Sequence, residues 1–263
     1  MGELLKVMTL NIGNPSLKRA KRQIEWLERQ DDDVFVLTET KLSEGCLYME
    51  EHFTNPSVTL FNLDSTSNHY AFFPKSSTGD LGVMIISKYP IIESQTCFNK
   101  DNKYYSRLLD VTIDFNGKSV GIMGIYVPSR DASNEKIERK KGFAIDYLNH
   151  LKSVSNASKK PYIICGDLNI LEKNHRPHYN NFLKWEYDFY DRFEHFGYID
   201  AFRLKYPSKN EYSWVGRTND GYRYDHFFVS KSIANNIIDC YYIHDTRKIP
   251  ITDHSAMRLE IEI

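Results

Sequence analysis

The sequence predicts an α/β fold with two β-sheets and helices on their outer faces. Three features carry that expectation: strand-like and helix-like segments alternate to the end of the chain, strands outnumber helices, and several strand runs show no polar alternation, Tyr162-Ile163-Ile164-Cys165 among them. A run that is apolar on both sides belongs in a sheet covered on both faces. The 263 residues suit one large domain, taken as 1–263, because α/β folds reach about 250 residues as a single unit.

Taken in order, β-rich runs at Leu4 to Asn11 and Val34 to Thr38 flank a helical spacing of Leu17, Ala20, Ile24 and Leu27. Ser57 to Phe61 and Gly82 to Ser87 read as further strands. Arg107 to Phe115 and Ser119 to Tyr126 are joined by Asn116-Gly117, the dipeptide that permits positive φ at both central positions of a type I′ turn, and so form a hairpin. Ile137, Ala144, Leu148 and Leu151 mark a second helix ahead of the strand Tyr162 to Cys165. A third helix is placed at Tyr179 to Phe196, opened by Pro177 and closed by Gly197. Tyr224 to Val229, Ile237 to Ile243 and Ala256 to Ile263 complete a set of about ten strands.

Composition narrows the function classes. Apolar residues at 41%, charged at 26% and aromatic at 14% exclude a mainly disordered or collagenous chain, and no apolar run approaches the roughly 18 residues of a membrane span. No membrane association is expected, and position 6 is Lys, which breaks the myristoylation pattern begun by Met1-Gly2. The 34 Lys and Arg nearly cancel 35 Asp and Glu, so any polyanion site must be a local patch. Candidates are Lys18, Arg19, Lys21 and Arg22, then Arg130, Lys173 and Arg176, and Arg217 with Arg223. The cysteines Cys46, Cys97, Cys165 and Cys240 are widely spaced and no signal peptide is seen, which suits free thiols in the cytoplasm.

Polar residues stand at the ends of the apolar runs: Asn11, Glu39, Tyr126, and Asp167 with Asn169. Strand ends are where scaffolds present functional groups to the loops. In Gly166-Asp167-Leu168-Asn169 the carboxylate and amide lie two residues apart, on one face of an extended chain, where they can hold one water; the same pair also suits an Asx turn. In Thr252-Asp253-His254-Ser255, neighbouring Asp and His point to opposite faces, so each needs a separate partner, and Asp225 is a candidate orienter for His254. His175 and His178 read as solvated loop residues. Glu39 is either a cap or a ligand of a hard cation, since an unpaired carboxylate after a buried strand is costly. Oxygen donors suit Mg²⁺ or Mn²⁺, and the His and Cys spacing does not suit zinc.

The segments L-N-I-G (10–13), L-T-E-T-K (37–41), G-I-Y-V-P (124–128), I-C-G-D-L-N (164–169), G-Y-I-D-A-F-R (197–203), Y-S-W (212–214), G-Y-R-Y-D-H-F-F-V-S (221–230) and T-D-H-S (252–255) occur in the order found in the endonuclease/exonuclease/phosphatase superfamily, which the whole chain resembles. Its 197–230 block looks like the exonuclease III and abasic-site endonuclease branch. The resemblance implies a four-layer α/β sandwich, two mostly antiparallel sheets face to face, and Mg²⁺- or Mn²⁺-assisted hydrolysis of a DNA phosphodiester by a monomer acting on duplex. It also implies roles: Glu39 as metal ligand with Asn11 nearby and Asp253 assisting, Asp167 as the group that orients or deprotonates water, and Asn169 as its positioner. Tyr126 and His254 would contact the phosphate, Asp225 would hold His254, and Trp214 would line the sugar pocket.

The substrate-facing set departs from that branch. Leu10 stands where Trp is usual, Gly13-Asn14 is reversed, Thr38 replaces Gln, Val215 replaces the second Trp of a pair, and Asp80-Leu81-Gly82 replaces Ser-Gly. The alternatives are therefore RNA, a nucleotide or a phosphorylated lipid as substrate, or a binding module without catalysis.

Overall fold

A computed structural model describes residues 2–55, 69–75, 79–98, 102–157 and 160–263. Two six-stranded mixed sheets form its centre. The first has the order β13-β14-β1-β2-β4-β3, from Ile237–Ile243, Ala256–Glu262, Leu4–Asn11, Val34–Thr40, Gly82–Ser87 and Tyr70–Phe72. The second has the order β5-β6-β7-β8-β12-β9, from Ile91–Thr96, Leu108–Phe115, Lys118–Tyr126, Tyr162–Asp167, Asp225–Ser230 and Tyr198–Asp200. Helices α1 (Leu17–Glu28) and α2 (Glu44–Thr54) cover the first sheet, while α3 (Asn134–Ala157) and α4 (Lys184–His195) cover the second.

Side-chain alternation within single strands explains the four layers. Val7, Val34, Val36, Ile163 and Phe227 enter the core between the sheets. Their neighbours Met8, Phe35 and Leu37 pack instead with Ile24, Leu27 and Met49 under the first helix pair. Ile164 and Phe228 pack with Phe143, Tyr147, Phe189 and Phe193 under the second. A strand buried on both faces must be apolar at every position, which is why these runs lack a polar period.

Two connections set up the functional end. β1 and β2 are parallel, joined through α1, with Asn11 opposite Thr38; β7 and β8 are parallel, joined through α3, with Tyr126 opposite Asp167. Each β-α-β unit delivers its carboxyl strand ends to the same edge. The Asn116-Gly117 turn forms as expected, with φ of 51° and 85° and Phe115 paired to Lys118.

Several expectations need correction. The third helix begins at Lys184 rather than Tyr179, with Leu183 at its N-cap, where the backbone N–H donates to Glu186 Oε2 at 2.8 Å. Pro177 therefore lies in the preceding loop, where its carbonyl meets His175 Nδ1 at 2.9 Å. α2, β3, β5 and β9 were not foreseen, nor were the short hairpin β10–β11 (Trp214–Val215, Gly221–Tyr222) and the helices α5 (Ala201–Lys205) and α6 (Asp245–Lys248). The strand expected at 57–61 lies outside the described residues.

Candidate active site

Four strand ends, a bulge in a fifth strand and one loop build the site. Asp225 on β12 stands opposite Asp167 on β8, which neighbours Tyr126 on β7. Gly166 sets this edge: its φ is 143°, and a Cβ there would sit 2.0 Å from the Ile125 carbonyl oxygen, so only glycine lets β8 deliver Asp167. From the first sheet come Asn11 at the end of β1 and Glu39 at a bulge in β2, where pairing with β4 shifts between Thr38 and Thr40 and φ is 56°. The bulge turns Glu39 out of the strand's alternation.

Hydrogen bonds tie the two sheets together here. Asn11 Nδ2 donates to Asp167 Oδ2 at 2.9 Å, and the Tyr126 hydroxyl donates to Glu39 Oε1 at 2.6 Å. Asp167 Oδ1 accepts from the Asn169 N–H at 2.9 Å, so the Asx-turn geometry and the functional placement coexist. His254 Nδ1 lies 2.8 Å from Asp225 Oδ2, its candidate partner in the sequence. Ser213 Oγ accepts from the N–H groups of Tyr224 and Asp225 at 3.0 and 3.1 Å, and the Ser255 N–H donates to the Ser213 carbonyl at 2.7 Å. One serine thus registers β12 against the His254 loop. Trp214 Nε1 donates to Asp253 Oδ2 at 2.9 Å.

Charge is unbalanced. Burial first, then the carboxylates of Asp225 and Glu39, push Asp167 up to about 7 against the opposing pull of His254 and the Asn11 hydrogen bond. For His254 burial works downward, but Asp225 outweighs it and carries the imidazole up to about 9. Burial and the Glu39 carboxylate hold the Tyr126 phenol protonated far above its usual range. The Arg107 guanidinium lies 4.7 Å from the Tyr126 ring centroid and donates to Asp80 at 2.8 and 2.6 Å.

A cavity of about 280 Å³ receives Glu39, Asp167, Asn169, Trp214, Asp253 and His254. A larger one of about 1020 Å³ lies beside Glu172, Tyr190 and Arg203, away from this chemistry. Among the described residues, the set of three ligand-type side chains whose atoms fall within 4.8 Å of one another is Asp167, Asp225 and His254; Glu39 and Asp253 line the cavity without joining it. Asn11 is 1% exposed, and its Oδ1 accepts the Gly13 N–H at 2.9 Å. Asp225 Oδ1 is buried without a hydrogen-bond partner. Oxygen donors, one buried lone oxygen and a surplus of carboxylates fit a divalent cation.

Three basic expectations fail. Arg223 is fully buried between Glu172 and Asp200, each 2.8 Å from Nη2, and Arg130 is held by Glu186, so neither is free to seat a polyanion. Lys18, Lys21, Arg22, Lys173, Arg176 and Arg217 are exposed. His175 is buried rather than solvated, accepting the Arg223 N–H at 3.3 Å. Lys140, Glu186, Phe182 and Tyr224 line the cavity and were missed. Lys140 alone left a signal, a charge falling within the apolar stripe of Ile137, Ala144 and Leu151.

These elements define a class: an α/β sandwich that gathers acids, an amide and a histidine at the shared end of its two sheets. The chain belongs to the Endonuclease/Exonuclease/phosphatase family, whose pattern it matches over residues 8–254. It is 26% identical to an exodeoxyribonuclease of Bacillus subtilis, over 98% of this chain and 100% of the relative. It is 24% identical to exodeoxyribonuclease III of Haemophilus influenzae, with the same two coverages. A solved 3′-5′ exonuclease from Neisseria meningitidis superposes with a TM-score of 0.79 at 19% identity, over 98% of this chain and 100% of that one. The four-layer fold expected from the resemblance is the fold observed, and this branch of the family depends on divalent metal ions.

Proposed function

We propose that the chain is a Mg²⁺-dependent DNA nuclease of the exonuclease III kind, cleaving beside abasic sites in duplex DNA and removing nucleotides from 3′ ends. The observation that carries this reading is Asp167, buried, held by Asn11 and the Asn169 N–H, and adjoining a His254–Asp225 pair. A group poised near pH 7 is suited to take a proton from water.

In this reading Glu39, with Asn11 and Asp253, holds the cation. When bound, the metal supplies positive charge to the phosphate oxygens. Asp167 accepts the proton of the attacking water, and Asn169 positions that water. His254, kept protonated by Asp225, donates a hydrogen bond to a non-bridging phosphate oxygen, where fixed donors act most strongly as charge develops. Tyr126, whose phenol stays protonated, turns its one donor from Glu39 Oε1 to the phosphate once a cation engages Glu39. Trp214 packs against the abasic sugar, and the product carries a 3′-hydroxyl. The exposed cations Lys18, Lys21, Arg22, Arg176 and Arg217 are the groups proposed to meet the DNA backbone.

The enzyme is proposed to work as a monomer of one domain in the cytoplasm, where its four free cysteines stay reduced. No helix among the described residues is long and apolar enough to cross a membrane. The test is a substrate panel with Mg²⁺: abasic duplex, nicked and blunt duplex, single-stranded DNA, RNA and phosphoinositide. Cleavage of abasic duplex to a 3′-hydroxyl is expected. Turnover of RNA or phosphoinositide with none of DNA would retain the chemistry and discard the repair assignment.

A further inference from the structure

Asn169 sits in the left-handed backbone region, with φ 49°, although it is not glycine. Asparagine tolerates that region better than other non-glycine residues do, and its contacts decide how firmly it is held there. Three contacts hold it. Its N–H donates to Asp167 Oδ1 at 2.9 Å, its Nδ2 donates to the Val127 carbonyl at 3.0 Å, and its own carbonyl accepts from Lys140 Nζ at 2.6 Å. The first two come from the strand ends that carry the site. The third arrives from α3, in the outer layer.

Lys140 is 1% exposed, and its Nζ also donates to Glu186 Oε1 at 2.6 Å. Glu186, fully buried on α4, additionally grips Arg130 and receives the Leu183 N–H. A lysine in the apolar stripe of a helix is costly to desolvate, and packing alone is served as well or better by an apolar side chain of similar volume. The ammonium therefore has another use, and beyond its counter-ion and the Phe182 ring, 5.7 Å from Nζ, the hydrogen bond it makes is to the Asn169 carbonyl. Lys140 and Glu186 line the same cavity as Asp167, Asn169 and His254. With Nδ2 committed to Val127, the amide oxygen of Asn169 has no protein partner among the described residues and can accept from a substrate water.

We propose that Lys140, anchored by Glu186, is a positioning residue for the reaction, fixing the Asn169 backbone so that its side-chain amide meets the attacking water at one geometry. The kinetic part rests on the nuclease reading above. Lys140→Met is expected to lower kcat on abasic duplex by about ten- to a hundredfold while KM stays within about threefold, the mark of an interaction used in the transition state. Hydrogen exchange at the Asn169 amide should quicken about tenfold or more as its local opening becomes easier. The double variant Lys140→Met with Glu186→Gln removes both buried charges together, and it should show the same kcat loss if the single variant unfolds.

A folded Lys140→Met with kcat within twofold of wild type would overturn the proposal. So would a raised, salt-sensitive KM with unchanged kcat, since that describes a direct phosphate contact. If the wild-type protein turns over no DNA at all, the nuclease reading falls, while the exchange rate at Asn169 still decides whether Lys140 holds it.

Discussion

Buried carboxylates flank both sides of strand β12, and the two sides settle their charge differently. His226 points the way of Phe228, toward the outer helices, where Glu172 and Asp200 meet Arg203 and Arg223. Asp225 points the way of Phe227, toward the end of the inter-sheet core, where it meets Asp167 and His254. In the first region burial works upward on Glu172, but the Arg203 and Arg223 contacts outweigh it and hold the acid down at about 2. In the second, Asp167 rises to about 7. Similar burial, opposite outcomes. The first region matches acids to guanidinium forks; the second leaves Glu39, Asp167, Asp225 and Asp253 around a single imidazolium. A fold that pairs its carboxylates a few residues away has no general difficulty in doing so, and the unpaired surplus marks the place where another cation or a proton is used.

The largest expected effect comes from neutralising the surplus. Asp167→Asn should lower DNA turnover by roughly 10²–10⁴-fold, the usual scale of a lost proton acceptor. Thermal unfolding at pH 7 should be unchanged or shifted upward, because one of several crowded carboxylates has gone. Near-normal turnover in that variant would remove Asp167 from its role. On the other side of β12 the same kind of change should act on stability. Arg223→Met leaves Asp200 without its guanidinium and Glu172 with Arg203 alone, and urea unfolding should show a loss of about 3–5 kcal/mol. A loss under 1 kcal/mol would mean that the network is not the balanced region described.

Acid should reach the paired region by a predictable route. The depressed Glu172 stabilises the fold fully above its ordinary value of 4.5, and that contribution fades as pH falls toward about 2. Stability curves for wild type and Glu172→Gln should therefore converge between those two values, and curves that stay parallel would contradict the pairing. The smallest effect concerns substrate choice. Trp214→Ala should cost about 1–3 kcal/mol, or ten- to a hundredfold, on abasic duplex but not on ordinary duplex ends. An equal loss on every DNA substrate would make Trp214, which lies 5.5 Å from Tyr222 and 6.1 Å from Tyr224 between ring centroids, a packing residue alone.

The paired region was the less legible of the two. Asp167, Asn169, Asp253 and His254 announce themselves by neighbouring residues and by strand ends, and strand geometry pointed His254 away from Asp253, while Asp225 was a candidate partner whose role the family resemblance supplied. Glu172, Asp200, Arg203 and Arg223 are separated along the chain and are brought together only by the packing of β9, α5 and β12, so Arg223 passed for a surface cation. Lys140 and Glu186 meet across α3 and α4 in the same way. Strands buried on both faces were readable from unbroken apolar runs, whereas β5, with Glu93, Ser94 and Gln95 exposed at a sheet edge, carried no such pattern. α2 was hidden by Gly45 in its first turn, where a Cβ would lie 2.1 Å from the Pro15 carbonyl oxygen: close packing selected the glycine over a better helix former.

Glu39, with Asn11 and Asp253, is proposed above to hold a divalent cation beside Asp167. Thermal unfolding followed against added Mg²⁺ or Mn²⁺ tests it without requiring turnover, because a ligand that binds only the native state raises its stability with concentration. The wild-type midpoint should rise as cation is added, and Glu39→Gln should need about tenfold more cation for the same rise, a neutral amide being the poorer ligand for a hard ion. No rise in the wild type, or an identical rise in both proteins, would contradict the account.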